Sequence, residues 1–158
     1  MFSLPSLCPW GSLVTMTSRQ RLMFANGIVL GLFAIPSFFM DIRAIFFGAG
    51  PLVTALRGEP SSGIGFLEAH GLAAIFALWF LYVGRTQAPP ARAWHFTGAA
   101  VHTLLGASNI ALWHFFIFMD MLALGYVSTA VHIAFAVLQF VVGMRATSHR
   151  AAADALRN

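Results

Sequence analysis

Six histidines occur in a chain in which charged residues make up only 9% of the sequence. Five of them, His70, His95, His102, His114 and His132, fall within or at the edge of long apolar stretches. Imidazole titrates near neutral pH, moves protons and ligates metals. An ionisable group placed in hydrocarbon is costly enough to mark a functional position by default. Spacing divides these residues into two sets. In one, His95, His102 and Asn109 recur every seven residues, close to two helical turns, and so share one stripe. Gly125, Ser128, His132, Gln139 and Gly143 form a second small and polar stripe further on. The simplest packing turns these stripes toward each other or toward the preceding segments. Two histidines on different helices at matching depth can bind a haem iron axially. His102 and His132 are the mid-segment pair, and so the candidate haem ligands.

The other set gathers at segment ends. Glu68 and His70 open one stretch, His114 closes another, and Asp41 and Asp120 flank them. A histidine beside a carboxylate suits proton transfer to or from a lipophilic substrate, or a metal site. The HEXXH zinc motif and the ExxH di-iron pattern are both absent. Glu68 and His70 lie about 200° apart around a helix, so both face a core only if the helix starts after Glu68. The plainer role for all these groups is hydrogen bonding between helices that holds a bundle together.

Four apolar stretches, 22–47, 66–84, 94–118 and 121–144, must position these side chains. A hydrocarbon core about 30 Å thick takes about 20 helical residues to cross. The expected fold is an all-α integral membrane protein, a bundle of four antiparallel transmembrane helices. A single helix over 94–144 would be about 75 Å long at 1.5 Å per residue. A turn is therefore expected at Phe118–Met121, with Asp120 as N-cap of the last span. Spans two and three, joined by a short proline-rich loop, are expected to be neighbours. Pro36 is expected to kink the first span. Residues 48–65, rich in glycine, proline and serine, read as the one long loop, with a helical turn or two over Pro51–Leu56 and a capacity to fold over the acidic cluster as a lid.

All nine basic residues are arginine. Arg19, Arg21, Arg85, Arg92, Arg145, Arg150 and Arg157 fall on one side of the spans, and only Arg43 and Arg57 on the other. This bias places both termini in the cytoplasm, in a multi-pass protein of a bacterial cytoplasmic membrane. It also explains the basic charge without nucleic acid. Residues 1–18 read as a disordered or mis-annotated extension, 19–146 as the transmembrane domain and 147–158 as a cytoplasmic tail. The single cysteine, Cys8, permits no intramolecular disulfide, dithiol relay or cysteine-based zinc site. There is no charged ladder to line a pore.

The leading expectation is a binding or accessory subunit, whose His/Asn/Gln core meets a lipophilic small molecule, partner helices or a second copy within the lipid bilayer. The alternatives are a small membrane enzyme using histidine–carboxylate chemistry at His70, Glu68, His114, Asp41 and Asp120, and a haem-bearing electron-transfer subunit.

Overall fold

The computed structural model describes residues 16–57, 60–86 and 90–155, and these contain helices and no strand. Of the expected N-terminal extension, residues 1–15, with Cys8, lie outside the described residues, and Met16–Ser18 lead into the first helix. The helices are α1 (Ser18–Phe47), α2 (Val53–Arg57), α3 (Pro60–Thr86), α4 (Arg92–Ala111), α5 (Trp113–Phe118) and α6 (Leu122–Ala155).

α1 begins at a capping box. Thr17 Oγ1 accepts from the Gln20 backbone N–H at 3.2 Å, and Gln20 Oε1 accepts from the Thr17 N–H at 2.9 Å. The helix runs through Pro36 and stops at Gly48, whose φ of +60° is the left-handed conformation that suits a glycine cap. α1 packs antiparallel along α3, and small residues bring the two backbones together. A Cβ on Gly27 would lie 2.7 Å from the Leu81 backbone nitrogen, and one on Gly84 would lie 2.8 Å from that of Phe24. Met23, Leu30, Phe80 and Val83 fill this seam.

α4 and α6 form the second antiparallel pair. α3 and α4 follow each other in sequence but touch mainly through side chains, with Trp79 and Trp94 stacked at 6.0 Å. The expected neighbours, spans two and three, are thus less intimate than the pairs α1–α3 and α4–α6. Interdigitated small residues on those pairs outweigh the short connection.

The far end, opposite the Arg19–Arg85–Arg92 end, departs further from expectation. α3 starts at Pro60, so Gly63, Gly65 and Glu68 are helical and the 48–65 loop is far shorter than expected. Proline suits a first helical turn, where its missing N–H has no partner to lose. The expected helical turn is present as α2, and its Leu56, with the preceding Leu52, packs against Ala44, Phe66 and Phe115. Between α4 and α6 the chain breaks twice, at Leu112 and at 119–121. The second break is the expected turn, but Asp120 is not an N-cap. It sits at φ +53°, the left-handed residue of the turn, a conformation aspartate tolerates better than most residues.

Among the described residues, three helices are long and apolar enough to cross a membrane: Ser18–Phe47, Ser61–Thr86 and Leu122–Arg145. α4, of 20 residues, is not among them. The side-chain distribution suits lipid. Leu32, Phe39, Leu78 and Val137 are exposed, while Asn26, Asp41, His95, His102 and Gln139 are fully buried. Water-soluble cores show the reverse.

Candidate functional site

The buried polar groups form a ladder in which seven-residue steps on α1 and α4 meet steps of seven and four on α6. On the first rung, His95 Nδ1 lies 2.6 Å from Gln139 Oε1, so the imidazole N–H donates there. His95 Nε2 is then the acceptor for the Arg19 Nε–H at 3.4 Å, while Arg19 Nη2 donates to the Pro90 carbonyl at 2.6 Å. On the second rung, His102 Nε2 donates to Asn26 Oδ1 at 2.5 Å. A neutral imidazole carries one proton, so His102 Nδ1 accepts and His132 Nδ1–H donates to it at 2.9 Å. On the third, Asn109 Nδ2 donates to Ser128 Oγ at 3.0 Å, and the Ser128 hydroxyl donates to the Gly125 carbonyl at 3.3 Å.

The pairing follows from periodicity. His95, His102 and Asn109 ascend α4 while Gln139, His132 and Ser128 descend α6, so an antiparallel pair meets rung by rung. α1 runs parallel to α4, and Arg19 and Asn26, also seven apart, meet His95 and His102. Glycines allow the approach: a Cβ on Gly98 would lie 2.9 Å from Asn26 Nδ2 and 3.2 Å from Gln139 Cδ. Sequence reasoning identified the α4 and α6 stripes but missed Arg19 and Asn26 as members of the ladder. Their shared seven-residue step was the available signal.

The two candidate haem ligands, His102 and His132, face each other on the second rung. The facing nitrogens of His102 and His132 are 2.9 Å apart and hydrogen-bonded, and Phe135 stacks on the His102 ring at 5.1 Å. No cluster of three or more His, Cys, Asp or Glu side chains that could hold a metal ion occurs among the described residues.

At the far end, α1 and α3 bring Asp41 and His70 together, with His70 Nδ1 2.6 Å from Asp41 Oδ2. Asp41 is fully buried and His70 28% exposed. Glu68, His114 and Asp120 are not brought to them. All three are exposed, and none makes a side-chain hydrogen bond among the described residues. α3 is already helical at Glu68, so the helical offset that turns His70 onto α1 turns Glu68 away. His114 falls on α5, beyond the Leu112 break.

Four buried polar atoms have no hydrogen-bond partner among the described residues: Asn26 Nδ2, Gln139 Nε2, Thr129 Oγ1 and Asp41 Oδ1. The first three belong to the ladder or its flank and are neutral. Asp41 Oδ1 belongs to an acid, and its desolvation is the most costly of the four. No protein-family model, curated protein or solved structure matches this chain.

Proposed function

We propose that the chain is a four-span membrane protein with both termini in the cytoplasm, working as an accessory subunit that docks through α4 against a helix of a partner. The outward face of α4 carries this reading. Its exposed residues are Arg92, Ala93, Ala100, Thr103, Leu104, Ala107, Ser108, Ile110 and Ala111, a mostly small face with two large apolar side chains, Leu104 and Ile110. α3 exposes Leu72, Ile75, Leu78, Trp79 and Tyr82, and α6 exposes Tyr126, Val127, Ile133, Val137 and Phe140. Bulky chains suit lipid, whereas small ones allow helix backbones to approach closely. α4 also turns its polar residues onto α6, which supports its crossing as one half of a hairpin despite its low apolarity.

Two measurements test the proposal. Reporter fusions after residue 88 and at the C-terminus are expected to read cytoplasmic, and one at residue 58 external. An external C-terminus would contradict the four-span arrangement. Cysteine introduced at Ala100 or Ala107, in a Cys8→Ser background, is expected to give crosslinked species of higher mass in native membranes. Cysteine at Leu78 is expected to give none. A doubled mass identifies a second copy, and any other mass a different subunit. Equal crosslinking at Leu78 and Ala107, or none at either α4 position, would overturn the α4 interface.

A further inference from the structure

We infer that Asp41 and His70 form a binding site for a lipophilic molecule with a hydrogen-bond-donating head group, an alcohol or amine. The site is separate from the α4 face and does not depend on a partner helix.

An ionised carboxylate accepts through two oxygens with about four lone-pair directions. Asp41 is fully buried near the end of α1, and only Oδ2 is engaged, by His70 at 2.6 Å. Oδ1 is buried with no partner among the described residues. A charged acceptor left unsatisfied away from water loses more than a neutral one. Satisfying Oδ1 requires an N–H or O–H, and the described residues bring none there.

His70 adds a second acceptor. With Nδ1–H given to Asp41, a neutral His70 leaves Nε2 as a lone-pair acceptor on a ring that is 28% exposed. Asp41 sets both the tautomer and the orientation, as carboxylates do for metal-binding and catalytic histidines. Oδ1 is thus the unpaired acceptor beside Asp41, and Nε2 is a further polar atom on the side of the ring turned away from the carboxylate.

The surroundings are aromatic. Phe66 lies 6.0 Å from the His70 ring and packs on Phe115 at 4.8 Å. Gly71 opens the neighbouring position, where a Cβ would lie 3.2 Å from the Phe38 ring. The hydrophobic cluster around α2 closes the far end. Apolar walls favour a hydrocarbon body and the unpaired Asp41 oxygen favours a donor head. An anion or a bare ether meets acceptors only.

The test uses the full chain in phosphatidylcholine nanodiscs and a fatty alcohol carrying a diazirine. Photolabelling is expected to be saturable and to map to the peptides around Asp41 and Phe66–Gly71. Asp41→Asn keeps the shape but can place an N–H where Oδ1 accepts, and is expected to reduce labelling about tenfold, the worth of one hydrogen bond to a charged group. Glu68→Gln, an exposed change at the same end, is expected to leave labelling unchanged. Dodecanol or dodecylamine is expected to displace the probe from the wild-type protein about tenfold better than 1-methoxydodecane. This comparison needs no variant, so it decides even if Asp41→Asn fails to fold. Equal displacement by the ether, or labelling indifferent to Asp41→Asn in a folded protein, would overturn the site. The crosslinking at Ala107 is unaffected in either case, so the two proposals fail separately.

Discussion

Gly27→Ala is expected to lower stability by about 2–3 kcal/mol, an effect typical of overpacking in a tight core. The added methyl would lie 2.7 Å from the Leu81 backbone nitrogen and 2.8 Å from the Ala77 carbonyl oxygen. These are helix backbone atoms, so relief requires α1 and α3 to separate along the seam of Met23, Leu30, Phe80 and Val83. Two further glycines supply controls of opposite sign. At Gly31 the methyl would meet Ala77 Cβ at 3.5 Å, an ordinary contact, and at Gly65 it would meet nothing within 4 Å. Helix propensity alone favours alanine over glycine by up to about 1 kcal/mol. Gly31→Ala and Gly65→Ala are thus expected to be neutral or stabilising. Loss of helicity on titrating mixed micelles with dodecyl sulfate ranks the three. The close-packed account of α1–α3 is wrong if Gly27→Ala behaves like Gly65→Ala.

These glycines also show which parts of the architecture could be read from the sequence. The all-helical, lipid-suited character followed from length and composition. The α4 and α6 stripes could be read from residue spacing, but the spacing left open whether they turn toward each other or toward the preceding segments. The pairing of α1 with α3 was encoded less openly, in Gly27, Gly31, Ala77 and Gly84, since a small residue signals close approach without naming its partner. The start of α3 was misplaced because Pro60, Ser61, Ser62 and Gly63 read as a loop, although proline followed by serine also suits a first helical turn. The break at Leu112 left no residue-level mark, because Leu112 through Phe116 carries neither glycine nor proline. The Asp41–His70 pair lay among five candidates at one end, and only the actual helix start separates His70 from Glu68. Asn26 was missed for a related reason: one amide on an apolar helix names no partner until a second helix stands beside it.

Asn26 makes His102 the residue whose loss is expected to propagate furthest. His102→Ala removes the acceptor of the His132 Nδ1–H and the donor to Asn26 Oδ1, and leaves a cavity where α1, α4 and α6 meet. A hydrogen bond between membrane helices is worth on average about 0.6 kcal/mol and at most about 1.7. Deleting a buried side chain of this size adds about 2 kcal/mol or more. Their sum, about 3 kcal/mol, makes His102→Ala comparable to Gly27→Ala. His132→Ala breaks one of these bonds at a slightly more exposed position and is expected to cost clearly less. The distinguishing measurement is a double-mutant cycle. If the imidazoles exchange a hydrogen bond, the double variant costs less than the sum of the singles, by about 0.6–1.7 kcal/mol. Asn26→Ala is expected to couple more strongly to His102 than to His132, since its hydrogen bond is to His102. Strict additivity of His102→Ala and His132→Ala would mean that the rings pack side by side without a shared proton, and the second rung would then be two independent buried groups.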